Sequence, residues 1–119
     1  MYKVRTLLKG EVLIEMGGLD PYIFLLKSGQ LIATHKSSSG AVKQLGLIHP
    51  GEFVGEMAYL SEKYAYSSTV TAATDCEVIE ILVDNIYDVL ASNPVWLKAL
   101  IKSLVHRIEA LNNKVVQSS

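Results

Sequence analysis

Several things are scarce in this chain, and each scarcity removes a class of answer. There is one cysteine, Cys76, so no disulfide can close within the chain, and a reducing, cytoplasmic setting is expected. Arginine occurs only twice, as Arg5 and Arg107. The formal net charge is −1 and the two signs are scattered, which argues against electrostatic binding to DNA or to an acidic membrane surface. No apolar run approaches the roughly eighteen residues of a membrane span, and the stretch from Met1 to Lys9 lacks the apolar centre of a secretion signal. The three histidines, His35, His49 and His106, are far apart with no Cys, Asp or Glu at ligand spacing, so no metal is expected, and His35 and His49 read as surface turn residues. Ser67 and Ser68 have no neighbouring His to act as a base. Asp75 and Glu77 beside Cys76 disfavour a thiolate, and Glu77 and Glu80 would project from opposite faces of a strand. No active site assembles, and the chain reads as non-enzymatic.

What is present is an ordinary globular composition. Half of the 119 residues are apolar and 19% are charged, enough for one domain over 1–119 with its own core. The first two-thirds read as short strands cut by turns. Val12-Leu13-Ile14 ends at Gly17-Gly18, and Asp20-Pro21 starts a turn before Tyr22-Ile23-Phe24-Leu25-Leu26. Lys27-Ser28-Gly29-Gln30 turns into Leu31 to His35, and a serine-rich tip at 36–40 returns as Val42 to Ile48. Ser68 to Ala72 follows, then Glu77 to Leu82, which alternates with period two. Short strands at this spacing predict a sandwich or barrel, a β-roll over about Thr6 to Leu82.

After Leu82 the period becomes helical. Asp84 is a candidate N-cap for a short helix over about 84–92, and Pro94 suits the first position of a second helix over about 94–115. In that helix Leu97, Ile101, Leu104, Ile108, Leu111 and Val115 step 4, 3, 4, 3, 4, a heptad seam. Trp96, Leu100 and Val105 form a second apolar face. One face is expected on the β core and the seam on a second copy, which predicts a homodimer.

The stretch with the most functional content is Gly55-Glu56-Met57-Ala58-Tyr59-Leu60, closed by Tyr66-Ser67-Ser68-Thr69-Val70. Gly55 lets the backbone turn so that a short helix over Met57 to Leu60 points its unpaired N–H groups outward, which favours an anion. Ser67, Ser68 and Thr69 add hydroxyl donors nearby. The plainer alternative is that Glu56 caps its own helix and the hydroxyls satisfy turn backbone.

These residues resemble the phosphate-binding cassette of the cyclic-nucleotide-binding domain. Phe24 to Leu31 resembles the family's apolar run before a turning glycine. His49-Pro50-Gly51-Glu52-Phe53-Val54-Gly55-Glu56 resembles its approach to the cassette, and Thr69 to Leu82 with Asn93-Pro94 is similar in order and spacing to the bacterial catabolite-activator branch. The resemblance implies a mainly β fold with C-terminal α: an antiparallel β-roll or jelly roll with a short cassette helix and a long terminal helix. It also implies that Glu56 accepts from a ribose 2′-hydroxyl, and that an arginine pairing with the cyclic phosphate belongs at position 66. Position 66 is tyrosine. Losing one partner of a buried, charge-assisted pair typically costs about 2–5 kcal/mol.

No arginine is close in sequence to replace it. Lys63, within the cassette loop, is a point charge without the bidentate fork, and Arg107 would have to reach in from the terminal helix. Tyr66 can donate a neutral hydrogen bond or fill the pocket with its ring. The family's adenine-facing positions fall on Leu111 and Asn112. The expected ligand-binding set is therefore a degenerate cassette of Gly55, Glu56, Met57, Ala58, Lys63, Tyr66, Ser67, Ser68 and Thr69. No cofactor is expected, and a cyclic nucleotide or another small anion is the candidate ligand. The family's helical segment before the first strand and its helix-turn-helix after the last helix do not occur within these 119 residues, so this stretch is not expected to read DNA alone. A regulatory module acting on a protein signalling partner is the expected role. A genuine cyclic-nucleotide sensor and an interaction adaptor with a plugged pocket are the alternatives.

Overall fold

A computed structural model describes residues 2–117, with side chains as far as Leu111. The elements run β1 (Tyr2–Leu7), β2 (Val12–Ile14), β3 (Tyr22–Ser28), β4 (Leu31–Lys36), β5 (Val42–Ile48), β6 (Phe53–Val54), α1 (Glu56–Leu60), β7 (Thr69–Ala72), β8 (Cys76–Leu82), α2 (Val83–Ala91) and α3 (Val95–Gln117). Two four-stranded sheets form, in the orders β1-β8-β3-β6 and β2-β7-β4-β5, and every pairing is antiparallel. This is the expected β-roll, followed by the long terminal helix.

Alternation decides what lies between the sheets. In β8 Cys76 and Val78 point inward, and in β7 Val70 and Ala72 do. With Leu7, Phe24, Leu26 and Leu31 they make a core whose members are almost wholly buried. Gly29 holds the turn between β3 and β4 at φ 89°, and a Cβ there would lie 2.3 Å from the Asp75 carbonyl oxygen. Glycine is required at that position by both conformation and space.

Three details differ from the sequence reading. The roll begins at Tyr2 rather than about Thr6: β1 pairs along β8 from Tyr2↔Ile81 to Leu7↔Cys76. Only Leu7 of that strand is buried, so it carries no alternation to read. Asp84 is not the cap of α2. The chain passes from β8 into the helix without a turn, Leu82 occupies the cap position, and the Val83 N–H donates to the Pro21 carbonyl at 3.0 Å. Asp84 sits in the first turn instead, where its charge still suits the helix end. Lastly, Pro94 stands one residue ahead of α3, accepting from the Leu97 N–H at 3.0 Å.

The terminal helix packs chiefly on α1 and α2. Val105 is its buried residue, Leu97 and Ile101 are half-buried, and Trp96, Leu100, Leu104, Ile108 and Leu111 are exposed. The heptad seam thus divides. Val105 lies roughly 80° around the helix from Leu97, so the inward face is centred to one side of the seam and takes Ile101 with it. Leu104, Ile108 and Leu111 stay on the open side. Val115 lies outside the described side chains.

Candidate functional site

The roll opens between β4, β5, the α1 segment and α3 into a cavity of about 620 Å³. Gly55 starts α1 in the left-handed region at φ 86°, and a Cβ on it would come within 3.3 Å of the Tyr66 ring. Without a side chain at this point, the chain turns tightly over that ring and brings Glu56, Met57 and Ala58 to the cavity wall. Ser67, Ser68, Lys63 and Tyr66 line it too. Of the residues expected from sequence, eight therefore meet there with Gly55 included, while Thr69 does not line it. On β7 the side chain of Thr69 falls opposite Val70, and its hydroxyl accepts from the Met16 N–H at 3.0 Å.

Tyr66 is 4% exposed and belongs to the core cluster. Its hydroxyl accepts from the Asp20 N–H at 2.9 Å, and its backbone bonds to Gly17 and Gly18 at 2.8 and 2.9 Å. The neighbouring Tyr59 hydroxyl donates to the Asp20 carbonyl. The ring is therefore a fixed partition: one side faces the cassette cavity, the other a hollow of about 430 Å³ beside Asp20. Burial, and to a lesser degree the Asp20 charge, pushes the Tyr66 hydroxyl up to about 12, so it stays a neutral phenol. The ring forms wall without filling the cavity.

Glu56 is half-buried, and burial raises its carboxyl above the ordinary range, offset in part by a hydrogen bond from its own backbone N–H. Lys63 pairs with Glu109 of α3 at 3.4 Å, which ties the cassette loop to the terminal helix across the cavity mouth. Ser61 is used in closing α1, donating to the Met57 carbonyl.

Sequence reasoning missed several contributors. His35 is not a turn residue: it lies in β4 and faces the cavity with Ala33. The alternation Leu31, Ala33, His35 carried that signal. Leu45 reaches the same wall because β4 and β5 slip register between Ala33↔Gly46 and Thr34↔Gln44, which leaves Leu45 as the extra residue of a bulge. Glu109 gave no local signal, since its partner lies on another element. Arg107 does not line the cavity, nor does Leu111, and the side chain of Asn112 is outside the described set. Among the described residues no group of three or more His, Cys, Asp or Glu could hold a metal. No helix among them is long and apolar enough to cross a membrane.

Comparison with known proteins gives a consistent result. The cAMP-activated global transcriptional regulator CRP of Salmonella typhimurium is 27% identical over 103 residues, covering 87% of this chain and 49% of the regulator. This chain spans about half the length of the curated relatives it matches. Among solved structures, the Thermus thermophilus catabolite activator protein superposes with a TM-score of 0.78 at 22% identity, over 98% of this chain and 54% of that one. An EAL enzyme, Bd1971, in its cAMP-bound form superposes at 0.81 with 16% identity, over 98% of this chain and 30% of the enzyme. Residues 4–93 match the family described as Cyclic nucleotide-binding domain. With that match spanning most of the β-roll and the cassette lying inside it, the chain belongs to the cyclic nucleotide-binding domain family.

Proposed function

We propose that this domain is a non-enzymatic regulatory module whose pocket has diverged from ordinary cyclic-nucleotide recognition. One observation carries the reading: Tyr66 stands where the resemblance calls for an arginine, and its hydroxyl is committed to the Asp20 N–H on the far side of the ring. A neutral phenol turned away from the cavity offers a cyclic phosphate no charge. The named relatives and neighbours include a cAMP-activated regulator and a cAMP-bound enzyme, so small-molecule occupancy of this fold is the natural expectation.

The output we assign to α3. Its exposed Leu104, Ile108 and Leu111 make an apolar stripe that a second copy would cover, giving a homodimer. The ion pair between Lys63 and Glu109 links cavity to helix, so an occupant of the cassette can reposition that surface toward a signalling partner. The free, buried Cys76 fits a cytoplasmic setting. Calorimetry tests the central point: cyclic AMP and cyclic GMP bind weakly or not at all. Low-micromolar affinity for either favours the second reading, a true sensor in which Lys63 leaves Glu109 to meet the phosphate. That second reading, or another small anion in its place, rests on Lys63 lining the cavity with an exposed ammonium.

A further inference from the structure

The charges around the cavity are unbalanced in a direction that names a ligand class. Its ionisable lining among the described residues is His35 from β4, Glu56 from α1, Lys63 and Tyr66 from the following loop, and Glu109 from α3. Two carboxylates face one ammonium, and that ammonium is already 3.4 Å from a Glu109 oxygen. An incoming anion would meet the carboxylates of Glu56 and Glu109 and would have to draw Lys63 from its partner. Lys63 is 56% exposed and its pair is weak, so it is the surplus of carboxylate over ammonium that disfavours an anion. A hydrogen-bond donor without charge meets no such obstacle, and the half-buried Glu56 carboxyl on the cavity wall can accept from it.

Ser61, Ser67 and Ser68 add hydroxyls, and the rest of the wall is apolar. Leu45 and Phe53 are exposed although they line a concave surface, and Met57 and Ile14 line it as well. Such a wall suits a flat, weakly polar body. A volume of about 620 Å³ suits a molecule of nucleoside size.

We propose that the cavity binds an uncharged nucleoside-like molecule, with hydroxyls donating to Glu56 and a planar body against Leu45 and Phe53. This rests on the reading above that the pocket has kept its place and lost its phosphate contact, and it adds what replaces the phosphate ester. Nothing in the cavity then needs to neutralise a ligand, and the Lys63–Glu109 pair stays closed over the occupied site.

The test is calorimetry on the whole chain with a matched pair, adenosine and cyclic AMP, which share base and ribose and differ by the phosphate. Adenosine is expected to bind at least about tenfold tighter, and its affinity is expected to stay flat as salt rises from about 0.05 to 0.5 M, because no ion pair is there to be screened. Glu56→Gln is expected to weaken adenosine about tenfold by removing a charge-assisted acceptor, with an unchanged circular dichroism spectrum. An adenosine affinity unaffected by Glu56→Gln overturns the assignment of Glu56. If neither compound binds, the inference fails while the diverged-pocket reading stands. If cyclic AMP binds as tightly as adenosine or tighter, both fail.

Discussion

The β-roll and the terminal helix satisfy their apolar residues in different ways. Inside the roll Leu7, Phe24, Leu26, Leu31 and Val78 are almost wholly enclosed, and the two sheets supply each other's cover. Among the described side chains of α3 only Val105 is buried, while Leu104 is 47% exposed, Ile108 44% and Leu111 63%. The roll holds itself together, whereas the helix presents a face that water covers poorly. At about 25 cal/mol for each Å² of apolar surface buried, such a stripe favours association, and the roll gains nothing comparable from a partner. Stability therefore rests with the roll, and the proposed assembly with the helix.

Substitutions can pull the two apart. The largest effect is expected from Gly29→Ala, which forces a Cβ to within 2.3 Å of the Asp75 carbonyl oxygen at a positive φ. It should cost on the order of 4 kcal/mol or more and leave little folded protein by circular dichroism; a cooperative melt near that of the unmodified chain would refute it. Next comes Leu104→Glu with Ile108→Glu. Light scattering should find monomer where the unmodified chain is dimer, with association weakened by more than about a hundredfold, and the roll should melt almost unchanged. An unmodified chain that stays monomeric across micromolar concentrations removes the homodimer, and wholesale unfolding of the double variant would move those residues into the intrachain core.

A smaller effect probes the partition between roll and cavity. Tyr66→Phe keeps the ring and deprives the Asp20 N–H of its acceptor, a loss of about 1–2 kcal/mol by urea denaturation. The Tyr66 hydroxyl is raised in the folded state from its usual 10 to about 12, so the folded form holds this proton more tightly than the unfolded form does. Its contribution is complete below pH 10 and is lost as pH rises through about 12. The phenylalanine variant should lack that alkaline component, and an identical alkaline profile would count against it.

The smallest effect has the opposite sign. The Glu56 carboxyl is raised by burial, so folding favours its protonated form and its ionised form costs stability at neutral pH. Glu56→Gln should therefore melt slightly higher than the unmodified chain at pH 7. The gap should close as pH falls below the ordinary carboxylate range, where both states carry a neutral group. A gap that widens toward low pH would reverse the argument.

Much of this was legible in the sequence because the physics was local. Period-two strands, the switch of period after Leu82 and the glycine-led cassette each leave a signature within a dozen residues. Local alternation also held His35, although its position ahead of a serine-rich tip made it read as a turn residue. What could not be read depended on partners elsewhere. β1 is exposed along most of its length and is a strand only because β8 lies beside it. Leu45 enters the cavity through a register slip that no single strand encodes. The direction of Tyr66 is set by Asp20, forty-six positions away. The split of the heptad seam depends on which side of α3 meets α1 and α2, and a periodicity alone assigns no neighbour.

The sheet order β1-β8-β3-β6 has a kinetic consequence. β8 lies between β1 and β3, so until the last strand of the roll exists β1 has no partner in its sheet and β3 has only the two-residue β6. Loop closure over most of the domain must precede that pairing, which places the roll among slow-folding, high-contact-order topologies rather than fast helical ones. A nascent chain that has not yet delivered Cys76–Leu82 holds β1 unpaired and one side of β3 open. During synthesis the vulnerable interval therefore ends with β8, before α3 has emerged.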